Sequence, residues 1–350
     1  MQILFYLWPE ILITLGVSAL MLFMAQRRQK KLAAKAALQP PPSTFFGKLL
    51  IGLKITLRLV AFGVGAFLLI AISIAIYRNI IGLQTETAPA PSQVEIPAGL
   101  PFAVEEVTFM SEDGLRIAGW FISPQNGATV ILLHGYGGNR THMLWHADKL
   151  VKAGYGVLMY DERASGESEG TYRSYGWEDS RDVGGALAFL NQRPDVDPEK
   201  IGIGGCSTGG QIALQGAAYY PQIGAVWADG ASTIRASDIP PVHNPIAAII
   251  VGANYMLDWM YQVKLDIEPP LPLTEIIGEI APRPIMLIGG GTPMVFIGSE
   301  GDVQKYYADI AGPNAEVWVI PEATHCDGPA QRPDEYARQM VEFFDKAFDR

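Results

Sequence analysis

Residues 200–213 read KIGIGGCSTGGQIA. Within them Gly205-Cys206-Ser207-Thr208-Gly209 fits the pattern G-x-S-x-G, which on its own is a weak signal. Its surroundings decide the reading. KIGIG is a short apolar run suited to a buried strand, and Gly209–Tyr220 is an Ala-rich stretch suited to a helix. A sharp strand-to-helix turn holds the residue at its tip near φ > 0 and leaves little room for flanking side chains. Gly205, Gly209 and Gly210 meet that demand. The turn lifts the Ser207 hydroxyl above the edge of a sheet and sets it at a helix N-terminus, where developing negative charge is favoured. Ser207 is therefore a candidate nucleophile.

On both sides of this turn the chain alternates between strand and helix patterns. Val104–Met110 and Leu115–Ile122 read as two strands joined around Asp113-Gly114, a hairpin signal. Ala128–Leu133, Gly156–Tyr160, Ala225–Ala228, Pro284–Ile288 and Glu316–Ile320 are short apolar runs of the kind buried on both faces. Met143–Ala153, Trp177–Asn191 and Glu335–Phe348 read as helices between and after them. Such alternation predicts the α/β class, with a mostly parallel central sheet covered by helices on both faces. Residues 232–282 interrupt the alternation with seven prolines and apolar helix-like pieces. They are expected to form a lid over the C-terminal edge of the sheet. Within them Asn254–Tyr261 (NYMLDWMY) could line an acyl pocket or form lid core.

A serine hydroxyl needs a base, and the base needs an orienting acid. His325 follows the last strand by a short loop (PEATH) and is the expected base, with His243 in the lid a weak competitor. The acid should lie after the strand Pro284–Ile288, and there Glu300 and Asp302 stand in GSEGD. About ten irregular residues separate them from the strand. Asp302 is favoured over Glu300, with Asp229 an outside candidate. The oxyanion needs two backbone N–H donors. Thr208, directly after the serine, should supply one, and Tyr136 in the glycine-rich loop His134–Gly138 the other. His134 is expected to brace that loop. His142 and His146 are expected on a helix surface, because Met143 stands where a zinc-binding H-E-x-x-H would need its glutamate. Cys206 and Cys326 are expected as two separate thiols, a strand-to-loop pair seldom having disulfide geometry.

The ordered set LLHGYGGNR, MYDERASGESEG, IGIGGCSTGGQIA and PEATHCDG resembles the α/β-hydrolase superfamily over roughly residues 102–348. Within it the chain resembles the serine-aminopeptidase-like and Bem46-like, membrane-anchored branch. The resemblance implies an α/β-hydrolase fold, a Ser–His–acid triad, an acyl-enzyme intermediate and no cofactor. It assigns Ser207 as nucleophile, His325 as base, and Tyr136 and Thr208 as oxyanion donors. The chain departs from the family pattern at Ala164, where glycine is usual, at Cys206, where histidine is common, and most of all in the acid loop.

The N-terminus carries a different message. Of the chain's 350 residues, 49% are hydrophobic and 18% charged, and the mean hydropathy is +0.16. The excess is concentrated in residues 1–83. Leu59–Tyr77 is an uncharged run close to the length of about 20 residues that a spanning helix needs. Residues 3–25 form a second apolar stretch, broken by Pro9 and Glu10, and the basic residues follow it rather than precede it, as a secretory signal would require. Two transmembrane helices, 3–25 and 59–77, are therefore expected ahead of the α/β domain. The stretch 26–58 between them has eight bases and no acid, which predicts that it is cytoplasmic and that the catalytic domain is extracytoplasmic. Residues 84–100 read as a linker and 101–350 as the hydrolase domain. From residue 79 onward 35 acids face 17 bases, a balance that argues against nucleic-acid binding.

The expected activity is that of a membrane-embedded serine hydrolase, with carboxylesterase leading. Its partner would be a small acyl substrate, lipid-derived given the anchor. A peptidase of the same fold and a non-catalytic binding module are the alternatives.

Overall fold

The computed structural model describes residues 26–27, 30–31, 34, 44–231, 233–242, 245–294 and 298–350. The chain divides into two compact units, Met1–Gly82 and Leu83–Arg350.

In the first unit, helix α1 begins at Phe45 and continues into the second unit as far as Thr87. It starts well before the expected Leu59, because no proline or glycine pair interrupts the apolar residues between Phe45 and Leu59. Lys48, Lys54 and Arg58 therefore ride on the helix rather than in a loop. Phe45–Ala66 is long and apolar enough to cross a membrane, and none of its most apolar window is buried. The expected span 59–77 falls on the same helix. The expected span 3–25 lies outside the described residues.

The second unit is built on an eight-stranded sheet. Its strands are β1 (Glu105–Met110), β2 (Arg116–Ile122), β3 (Thr129–Leu133), β4 (Gly156–Tyr160), β5 (Ile201–Cys206), β6 (Ile223–Asp229), β7 (Ile285–Gly290) and β8 (Ala315–Ile320). The spatial order is β8-β7-β6-β5-β3-β4-β2-β1. Only β2 runs against its neighbours, pairing antiparallel with β1 and with β4. The remaining pairs are parallel, which explains why β3, β4 and β7 are buried along their whole length. β3 lies between β4 and β5, so the chain leaves it toward one side of the sheet and later returns on the other. In open α/β sheets such a reversal marks where ligands bind, here at the carboxyl ends of β3 and β5.

Helices α2 (Leu144–Lys152), α3 (Ser180–Leu190), α4 (Thr208–Tyr219), α5 (Pro245–Leu265), α6 (Glu300–Ala311) and α7 (Pro333–Ala347) complete the unit. Two apolar clusters fill the two faces of the sheet. One gathers Leu187, Ile203, Leu214 and Tyr307, the other Leu132, Leu150, Trp227 and Phe344.

Two expectations change. Residues 84–92 are not a free linker. Thr87 closes α1 by donating its hydroxyl to Leu83 O at 2.7 Å, and Ala90–Pro91 pairs parallel with Ser165–Gly166. Residues 232–282, the expected lid, also contribute to the core. Leu273, Ile276, Ile277 and Ile280 are core, buried in the same cluster as α4. On α5, Tyr261 is buried while Leu257 and Met260 pack against that core, leaving Tyr255 and Trp259 exposed.

Candidate active site

Ser207 sits between β5 and α4 with φ 59° and ψ −119°, a region that costs a non-glycine residue energy and persists only when its surroundings hold it. They do so closely here. A Cβ on Gly205 would lie 2.4 Å from the Gly209 carbonyl, and one on Gly209 would lie 2.4 Å from Leu133 O. Ser207 N–H donates to Asp229 O at 2.8 Å, and Gln211 N–H donates to Ser207 O at 3.1 Å. The turn is thus tied to β3, β6 and its own helix.

His325 reaches this hydroxyl from the loop after β8. Its Nε2 lies 2.8 Å from Ser207 Oγ, and its Nδ1 lies 2.5 Å from Glu300 Oε1. The other Glu300 oxygen accepts from Gly290 N–H at 3.0 Å. Hydrogen bonding to the Glu300 carboxylate raises the imidazole pKa above its ordinary 6.5, against the opposing effect of burial. A hydroxyl on such a chain can pass its proton to the imidazole, whose charge the carboxylate then balances.

Of the acids weighed from sequence, Glu300 meets the imidazole. Asp302, the one favoured, does not. Its Oδ2 accepts from Ser299 N–H and Oγ–H, both at 2.9 Å, while Ser299 Oγ accepts from Asp302 N–H at 3.2 Å. This is a reciprocal cap on α6, and hydrogen bonding to Ser299 pulls the Asp302 pKa down to about 2. The irregular residues after β7 explain the spacing. They turn out and return as a small antiparallel pair, Pro293–Met294 with Gly298–Ser299. Residue 300 is thereby brought back beside residue 290.

The loop after β3 forms the opposite wall. A Cβ on Gly135 would lie 3.3 Å from Ser207 Cβ, so backbone approaches the serine there. Tyr136 follows, partly exposed, with the Arg173 guanidinium stacked 4.4 Å from its ring centre. Thr208 is the first residue of α4, and its N–H belongs to the group that has no partner within the helix. His134 is fully buried and bridges two loops. Its Nε2 accepts from Glu162 N–H at 3.0 Å, which leaves Nδ1–H to donate to Gly135 O at 2.8 Å. Burial lowers its pKa to about 4 and keeps the ring neutral.

Asp229, the outside candidate, lies buried below the acid. It accepts from Tyr336 O–H at 2.8 Å, and Trp227 Nε1–H donates to that same Tyr336 oxygen at 2.9 Å. Burial pushes its carboxyl up to about 7. Cys206 and Cys326 are not separate thiols but a disulfide, with Cα atoms 6.0 Å apart, inside the range a bridge spans without backbone movement. His146 is not on the surface either. It is buried against Trp145 and Tyr336. His243 lies outside the described residues. Ala164, standing where glycine is usual, has φ 56°. Nearby, Arg140 is paired with Asp161, and Arg163 with Asp182 at 2.7 Å, fixing the loop after β4.

The chain resembles known proteins over most of this second unit. It is 30% identical over 261 residues to the uncharacterized protein YfhR of Salmonella typhimurium, covering 71% of this chain and 83% of that one. A shorter match, 36% over 122 residues, is to the thiohydrolase aneE of Aspergillus aculeatus, covering 34% of this chain and 38% of that one. Among solved structures, an esterase from Pyrococcus furiosus superposes with a TM-score of 0.58 at 25% identity, covering 73% of this chain and 98% of the esterase. The sequence model of the alpha/beta hydrolase family matches residues 130–339. With the strand order and the serine turn described above, the chain belongs to the α/β-hydrolase family.

Proposed function

We propose that the protein is a membrane-anchored serine hydrolase that cleaves carboxylic esters or thioesters through an acyl-enzyme. The observation that carries this reading is the continuous chain Ser207 Oγ–His325 Nε2–Nδ1–Glu300, with links of 2.8 and 2.5 Å. Ser207 Oγ attacks the acyl carbonyl while His325 takes its proton. Glu300 holds the ring and balances the imidazolium. The N–H groups of Tyr136 and Thr208 receive the oxyanion. His325 then returns the proton to the leaving oxygen or sulfur. A water, deprotonated by the same ring, releases the acid and restores the serine. These steps use the chain's own groups and call for no cofactor.

The likeness to an esterase and to a thiohydrolase supports esters and thioesters over amides. The apolar helix at Phe45–Ala66 supports an anchor and, with it, acyl groups of lipid origin. The basic residues ahead of the anchor and the disulfide in the domain both favour an extracytoplasmic site.

The test is covalent labelling of the detergent-solubilised full chain with a fluorophosphonate, beside Ser207→Ala and His325→Ala. Labelling of wild type that disappears in both variants is expected. A well-folded wild type that takes no label would reject the reading in favour of a non-catalytic module. A panel of acyl esters and aminoacyl amides decides between esterase and peptidase.

A further inference from the structure

The two cysteines flank the reacting pair. Cys206 is the residue before Ser207, and Cys326 is the residue after His325. The bridge therefore joins the chain of the hydroxyl to the chain of the imidazole, across 120 positions of sequence. The two sides differ in exposure. Ser207 is locked by glycine packing and by its bond to Asp229 O. The loop carrying His325 is exposed at Thr324 and His325; Thr324 N–H and Oγ–H donate to Asp327 at 2.6 and 3.0 Å, Thr292 N–H donates to Ala323 O at 3.2 Å, and Glu300 meets the ring itself. Cys326 itself has φ 53°, and its sulfur lies 3.9 Å from His325 Nε2 and 3.5 Å from Asp229 O. The sulfur thus sits directly against the ring it would position, and the bond from it runs to the rigid side of the site.

We propose that the Cys206–Cys326 disulfide is a second positioning element of this site, beside Glu300. It holds the His325 ring at hydrogen-bonding distance from Ser207, so that turnover depends on the redox state of the bridge. The inference rests on the hydrolase reading. Reduction breaks the S–S bond and leaves two thiols. With a dithiol as reductant, two electrons and two protons pass to the cysteines and the dithiol closes to its own disulfide. The separated sulfurs then require non-bonded spacing, and the more exposed side, at Thr324 and His325, is where the shift is taken up. A displacement of about 1 Å from attack geometry costs roughly 100-fold in rate.

The experiment uses the full chain in detergent. Intact mass after thiol blocking, with and without prior reduction, reads the bridge. Reduction is done with a water-soluble phosphine, which becomes its oxide as water supplies the oxygen and the two protons. Hydrolysis of p-nitrophenyl butyrate and the rate of fluorophosphonate labelling are then measured in both states. We expect kcat to fall by roughly 10- to 100-fold with KM within about twofold, and reoxidation to restore it. A Cys206→Ser/Cys326→Ser double variant should behave like the reduced protein and ignore the phosphine. Should that variant fail to fold, the reversible loss in wild type, with an unchanged circular-dichroism spectrum, carries the same information. Blockable thiols in protein isolated without reductant, or equal kcat in both states, would overturn the proposal. If Ser207 takes no label while the bridge is intact, the hydrolase reading fails and the positioning role fails with it.

Discussion

Glu300 and Asp302 are two residues apart and face different tasks. One meets the imidazole, and the other caps the helix on which both stand. Glu300→Gln should keep the shape of the site but remove the charge that balances His325. We expect kcat to fall by on the order of 10³–10⁴. Asp302→Asn should leave kcat nearly unchanged and destabilise the fold by about 1 kcal/mol through the weakened cap. The same pair predicts a pH profile. In the proposed mechanism His325 must be neutral to accept the proton, and Glu300 holds its pKa above 6.5, so kcat/KM should rise with pH to a midpoint above 6.5. In Glu300→Gln the residual midpoint should move down. Asp229 gives a stability prediction of its own. Its folded pKa, about 7, exceeds its ordinary 3.8 because of burial. Folding therefore loses stability as pH rises from about 3.8 to 7, where the unfolded carboxyl ionises and the folded one resists. Asp229→Asn should raise Tm at pH 8, by roughly 2–4 °C for each kcal/mol regained, and leave it unchanged near pH 3. Thermal melts at the two pH values check this.

At the scale of elements, the serine turn is held by backbone rather than by side chains. A methyl on Gly209 would press on Leu133 O at 2.4 Å, and a backbone carbonyl inside a parallel sheet cannot step aside. Gly209→Ala should cost at least about 2 kcal/mol and lower labelling of Ser207 more than it lowers secondary-structure content. The glycines were legible in the sequence because their demand is local, as were β3, β4 and β5, whose burial on both faces makes them continuous apolar runs. Helix α6 was not read, although Ser299-x-x-Asp302 is a capping pattern. Irregular residues precede it, so its two acids read as loop residues. The same misreading made Asp302 the favoured acid. The disulfide was illegible for another reason. Two cysteines 120 positions apart carry no local signal, and their approach follows only once β5 and the loop after β8 have been placed in one sheet. His134 was read as a brace from its place beside a glycine loop. Its tautomer needed the partner, Glu162 N–H, that only the folded chain supplies.

For the whole molecule, charge and hydropathy divide the chain more sharply than any single motif. Residues 1–78 hold nine bases and one acid, while the remainder holds 35 acids and 17 bases. In the proposed anchored arrangement the acidic residues from 79 onward have little electrostatic attraction for an anionic lipid surface, so that part of the chain should not bind such a surface when the first 78 residues are removed. A periplasm-active reporter fused after Arg350 is expected to be active and a cytoplasm-active one silent; the opposite pattern would reverse the orientation drawn from the basic residues. The small antiparallel pair between β7 and α6 bears on how relatives of this chain are compared. Glu300 is located by where its helix begins, beside Gly290, and not by a count of residues from the strand. Doubling the length of a connecting excursion costs only about 0.6 kcal/mol in closure entropy. Homologues can therefore lengthen or trim it while the carboxylate stays in place. An alignment scored without gaps from β7 would pair Glu300 with unrelated surface residues and report the acid as missing. One anchored on the capping serine would recover it.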